Sequence, residues 1–175
     1  MVMKTAFYSL LFVGAISILL TSCDSERINP AEESFEFYEN ANLVEEFPYA
    51  QLGEKLVFRH YYLAANKANI ANDEYAEEVY FAVNADEDFY LEGPELQEID
   101  FVFKQYCNCS TFDKLQIVDG YLKGDKKGND RYLLEANVEL RGYYMHEGEV
   151  LESQILHSAF TGLFKKSSIS ALNQR

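Results

Sequence analysis

Tryptophan is missing from the 175 residues, proline and cysteine occur three times each, and 15 lysines and arginines face 29 aspartates and glutamates. Each shortage removes a class of protein. Three cysteines do not make a disulfide-stapled scaffold. A unit of ~150 residues buries roughly 68–70% of its unfolded surface and needs neither staples nor a structural metal to fold. The deficit of basic charge excludes DNA and RNA and disfavours anionic headgroups, because both are held by Lys and Arg. A hydrophobic fraction of 48% rules out a disordered chain.

Long apolar runs are also lacking. The longest, Leu10 to Leu20, has eleven residues. As a helix it rises about 16 Å at ~1.5 Å per residue, against about 30 Å of hydrocarbon. It is too short for a permanent span and fits the apolar stretch of a cleaved export signal, with Lys4 before it. After the run comes Leu20-Thr21-Ser22-Cys23. These residues resemble the lipobox of bacterial lipoproteins, a Leu three positions before an invariant Cys with small residues between. The resemblance covers residues 1–23 and implies lipid on the Cys23 sulfur, cleavage before Cys23, and acylation (palmitate) of the new N-terminus. Two or three acyl chains at ~0.8 kcal/mol per buried CH₂ anchor almost permanently, whereas one is marginal. The expected location is therefore the cell envelope of a bacterium of the Gram-negative kind. Asp24 and Glu26 leave open whether the anchor sits in the inner or outer membrane, and whether the protein faces the periplasm or the surface.

What the chain has in quantity is aromatic: 13 Tyr and 13 Phe, a composition that favours strands. The length suits one domain plus the export segment. We read residues 1–22 as signal peptide, 23–34 as lipidated Cys and polar tether, 35–165 as a β-rich domain, and 166–175 as a polar tail. Residues 35–53 mix strand and helix spacing. From Leu56 the pattern clears, with strands at Leu56–Leu63, Glu78–Val83 and Ile99–Lys104, and turns at Asn66–Asp73, Asp86–Asp88 and Glu92–Pro94. Leu115–Lys123 and Tyr132–Arg141 flank Gly124–Asp130, whose glycines suit a hairpin loop. In the second of these strands Leu134, Ala136, Val138 and Leu140 alternate with polar residues, so one face is core and the other wet. After a turn at Tyr144–Glu149 the chain returns as Val150–Phe164. There Leu151, Ile155, Ala159 and Leu163 share one parity while Leu156, Phe160 and Phe164 share the other, which predicts a bulge or burial on both faces. The expected fold class is all-β, an antiparallel meander of six or more strands closing as a β-sandwich or a small β-barrel.

Candidate chemistry is sparse. Cys107 and Cys109 form a candidate disulfide in an oxidising compartment. In a straight strand their Cα atoms stand about 6.5–7 Å apart, at or beyond the usual ~4.4–6.8 Å, so a bridge needs a turn and would be easily reduced. No further Cys or Cys-His pair lies at zinc spacing. His60, His146 and His157 lack a Gly-x-Ser-x-Gly partner, and packing or surface roles are the ordinary reading. Asp86-Glu87-Asp88, Glu32-Glu33 and the acids of Asp125–Asp130 lack the regular calcium-loop spacing. No metal, cofactor or catalytic residue is assigned, and a glycosidase pair of carboxylates is not visible in one sequence. Tyr61-Tyr62 and Tyr143-Tyr144 are candidate contacts for a sugar ring or a protein partner, against the ordinary reading of core rings with phenols at the rim. The expectation is a non-enzymatic binding or assembly module, held to the membrane through Cys23, for an envelope protein, a glycan or a small ligand. The alternatives are a barrel carrier of an apolar ligand and, behind it, a hydrolase or redox enzyme.

Overall fold

The computed structural model describes residues 28–67, 75–84, 87–107 and 112–172. Of the described residues 71% are strand and 6% helix. In order it forms β1 (Ile28–Asn29), β2 (Glu32–Leu43), β3 (Ala50–Leu52), β4 (Lys55–Leu63), β5 (Asn66–Lys67), β6 (Ala76–Val83) and β7 (Phe89–Glu92). There follow α1 (Gly93–Gln97), β8 (Asp100–Tyr106), β9 (Lys114–Lys126), β10 (Arg131–His146), β11 (Glu149–Lys166) and α2 (Ile169–Leu172).

Nine strands make one mixed sheet in the order β7-β9-β10-β11-β2-β4-β6-β8, with β3 beside β2. The sheet folds over on itself as a sandwich and does not close into a barrel. Its hinge is the junction of β11 with β2, a parallel pairing confined to Lys165 opposite Glu36 and Lys166 opposite Phe37. The other neighbouring strands pair antiparallel, as a meander predicts.

Aromatic side chains fill the space between the two halves. Phe37, Phe58, Phe81 and Phe101 stand opposite one another across β2, β4, β6 and β8. From the facing half, Tyr132 meets Phe37 and Phe58 edge-on at 5.2 and 5.3 Å, and Phe164 meets Phe58 at 5.5 Å. Edge-to-face pairs of this kind add about 0.5–1.5 kcal/mol each beyond the area they bury. On β10 the inward residues Tyr132, Leu134, Ala136, Val138 and Leu140 are all buried while Leu133 is exposed, as the alternation requires.

Several boundaries differ from the sequence reading for physical reasons. Residues 35–53 resolve into β2, a bulge and β3. The bulge sets Glu39 and Asn40 against one residue of β4, and Asn40 takes φ 52°. β2 starts at Glu32, inside the stretch whose polarity suggested a tether. Gly124 belongs to β9 and not to the hairpin loop: the Phe89 ring lies where its Cβ would be, 2.3 Å away. Glu92-Gly93-Pro94 opens a one-turn helix, α1, whose Leu96 is fully buried. At Glu147-Gly148 both residues have positive φ, so β10 and β11 are joined by a tight two-residue turn. The extra residue of β11 is Leu151, which has no opposite number between Val150 and Glu152. Burial on both faces does not follow, since Leu151, Ile155 and Leu163 remain exposed. In the C-terminal segment expected to fray, α2 buries Leu172 against the outer face of the first half-sheet.

Candidate functional site

Two strand edges approach each other without pairing on the side of the sandwich away from the hinge. β8 ends the strand order, so among the described residues its outer edge carries no partner. β9 is covered on that side only in part. β7 pairs with Tyr121–Gly124, and the Gln97 side chain of α1 donates to the Val118 carbonyl at 3.0 Å. Between these edges lies a groove of about 640 Å³ lined by five consecutive residues of β8, Phe101–Gln105, and by Phe112–Leu115. Glu45 and Glu46 reach its rim from the loop before β3.

The groove walls are built firmly. On the β9 side the Phe112 ring packs where a Cβ of Gly142 would stand, 2.4 Å away, and lies 4.8 Å from the Tyr144 ring. Asp113 ties this wall to β10 twice: its amide donates to the Tyr143 carbonyl at 3.0 Å, and its carboxylate accepts from the Met145 amide at 2.7 Å. The Lys114 ammonium stands 6.0 Å over the Tyr143 ring and that of Lys104 stands 5.4 Å over the Tyr49 ring, so each lysine is held by a cation–π contact. The pocket therefore offers Phe101, Phe103, Phe112 and Leu115 as apolar surface, two lysines and two exposed glutamates as charge, and two lines of main-chain polar groups.

Behind β8 the outer face of the first half-sheet carries a network that the sequence reading missed. Arg59, Glu78 and Tyr80 are buried in adjacent strands. The guanidinium donates to Glu36 at 2.9 Å, to Tyr80 Oη at 3.0 Å and, through two nitrogens, to Glu78. Its central carbon stands 5.2 Å over the Tyr61 ring. Tyr106 donates to Glu78 at 2.7 Å and Tyr38 to Glu36 at 3.1 Å. Burial, reinforced by these carboxylates, pushes the Tyr38 and Tyr106 phenols above their ordinary range. Burial raises Tyr80 as well, with Arg59 pulling the other way. Every strong donor and acceptor here has a partner, and two carboxylates around one guanidinium hold it charged, so the arrangement is that of a structural ion cluster.

His60 lies on the opposite, inner face. Its ring is stacked between Phe35 at 5.0 Å and Phe160 at 4.1 Å, and its Nε2 is 2.8 Å from Glu33. Nδ1 is buried without a hydrogen-bond partner among the described residues. Burial lowers its pKa from the ordinary histidine value, against the opposing pull of Glu33. Near it Ser158 donates to Glu77 at 3.3 Å, and Tyr75 donates to the same carboxylate at 2.7 Å. Burial and that bond push the Tyr75 phenol up to about 12.

The tyrosines singled out from sequence do not form one patch. Tyr61 lies over Arg59 on the outer face, whereas Tyr62, opposite Glu33 and Glu77, turns to the inner face. Tyr143 holds Lys114 at the groove wall, and Tyr144 turns inward to Phe112. Two of the four thus support the groove. Cys107 is disulfide-bonded; Cys109 and Cys23 lie outside the described residues. His146 is exposed at the β10–β11 turn, and His157 on the outer face of β11. The acidic stretches bind locally: Asp88 accepts from the Lys126 amide at 2.7 Å, Asp125 lies 3.4 Å from Lys123, and Asp130 lies 3.4 Å from Arg131. Among the described residues no group of three or more His, Cys, Asp or Glu is placed to hold a metal ion. None of the helices there is long and apolar enough to cross a membrane.

No family model, no curated protein and no solved structure matches the chain.

Proposed function

We propose that the protein is a lipid-tethered module of the bacterial envelope that binds a partner or ligand without transforming it, and that the binding locus is the groove between β8 and β9. The observation carrying this reading is the groove itself: a pinned, aromatic-walled cleft of about 640 Å³ flanked by strand edges. Such a cleft lies in the size range of ligand sites, and its few polar groups converge on an apolar wall. The lipobox residues Leu20–Cys23 support the tether. The carrier alternative receives less support, because the centre of the sandwich is occupied by the rings of Phe37, Phe58, Tyr132 and Phe164.

Photo-crosslinking in intact cells tests the locus. With p-benzoylphenylalanine in place of Lys114 at the groove, a discrete adduct is expected; in place of Lys127, in the β9–β10 loop, none is. No adduct at either position, or equal labelling at both, overturns the reading. In the same cells Cys23→Ala is expected to abolish palmitate labelling and to release the protein from the membrane fraction. Unchanged sedimentation would remove the tether.

A further inference from the structure

Resting on that reading, we infer that the ligand is an extended polypeptide segment of a protein partner, taken up as an added strand on the free edge of β8. The groove's length is lined by consecutive residues of one strand, Phe101 to Gln105, so what it presents is a backbone edge and not a set of scattered side chains. At ~3.3 Å per residue that run is about 16 Å long, the reach of a five-residue strand. Unpaired edge amides and carbonyls are a template for strand addition, in which main-chain hydrogen bonds supply affinity and alternate side chains supply specificity.

The two sides of the groove dictate what those alternate side chains must be. Facing inward are Phe101, Phe103, Phe112 and Leu115, so every second residue of the segment must be apolar. On the other side are Glu45 and Glu46, both exposed, with no cation within salt-bridge distance among the described residues, and the chain as a whole carries a net charge of −14. The intervening residues are therefore best Lys or Arg. Lys104 and Lys114 also line the groove and keep their charge, but each is positioned over a tyrosine ring, so a basic residue of the segment is directed to the glutamate rim and away from the two lysines. A glycan would use the rings and carboxylates but leave the row of β8 main-chain groups without partners.

The test uses the full-length protein in detergent micelles and a phage library of random twelve-residue peptides. Enriched sequences are expected to alternate apolar with basic residues. An enriched peptide is then synthesised with alternate backbone amides N-methylated, in each of the two possible phases. Methylation in at least one phase removes several main-chain hydrogen bonds and is expected to weaken binding about tenfold or more. On binding the unmodified peptide, the amides of Asp100–Tyr106 are expected to exchange more slowly, while those of Arg131–Leu140 do not change. Binding indifferent to methylation in both phases, or protection confined to another element, overturns strand addition. Failure to enrich any peptide, together with a protease-resistant adduct at position 114, also overturns it while leaving a binding groove for a glycan. Failure of both experiments takes the proposed function with it.

Discussion

The two halves of the sheet are built on different plans. β10 is buried on one face only, with Leu134 and Val138 inside and Leu133 and Glu135 outside. β4 and β6 are buried on both: Val57, Phe58, Arg59 and His60 are consecutive and all buried, as are Val79, Tyr80, Phe81, Ala82 and Val83. Inside, these strands meet the aromatic core. Outside, the segment around Tyr49 and the C-terminal helix cover Tyr38, Val57 and Tyr80. A one-sided strand has a cheap face and a costly face for substitution. In a two-sided strand both faces are costly, and the second face here stores charge.

Arg59→Leu breaks that comparison hardest. Two carboxylates, Glu36 and Glu78, would lose the cation that justifies their burial, and removing one partner of a buried ion cluster costs about 3–5 kcal/mol. Urea unfolding at neutral pH should show a midpoint shift of that size at unchanged slope; a change below about 1 kcal/mol would mean the cluster is solvated. The one-sided half gives the next effect. Leu134→Ala should cost about 2–5 kcal/mol, while its exposed neighbour Leu133→Ala should stay within about 0.5 kcal/mol. Similar losses for both would show that the outer face of β10 is covered.

The smallest effect is a pH dependence. Because burial lowers the His60 pKa in the folded state, the unfolded chain binds the proton more readily. The stability this group contributes is thus present above about 6.5, the unperturbed histidine value, and is lost as pH falls below it. Urea midpoints measured from pH 7.5 to 5.5 should decline in the native protein, and His60→Phe, which keeps a ring between Phe35 and Phe160, should flatten the decline. An unaltered slope in that variant would place the titrating group elsewhere.

This difference in plan also explains what was legible in the sequence. Strict alternation announces β10 and its core face, because water selects every second residue. In β4 and β6 no water-facing row exists, so the apolar runs reveal strands while concealing that Arg59 and Glu78 face each other across them. Three residues far apart in sequence, Glu36, Arg59 and Glu78, become neighbours only through register, which a single sequence does not print. The groove was less legible still. Tyr143 and Tyr144 stand out in the sequence as rings, yet their part is to hold Lys114 and Phe112. Phe101, Phe103 and the bare edge of β8 give no local signal, since an edge is defined by the strand that is missing beside it. The long β2 is hidden in the sequence because its bulge at Glu39-Asn40 shifts the alternation midway.

The parallel hinge between β2 and β11 has a bearing on how the molecule is made. Phe37 and Lys166 lie far apart along the chain, so the one strand pairing that joins the two layers among the described residues is a long-range contact. Without β11 the row of four phenylalanines in the first layer loses Phe164 from Phe58 and Phe160 from Phe81. Contacts so distant along the chain are slow to form. Truncation a few residues short of Lys165 would therefore remove more than a tail: it would leave the sandwich without its fold line.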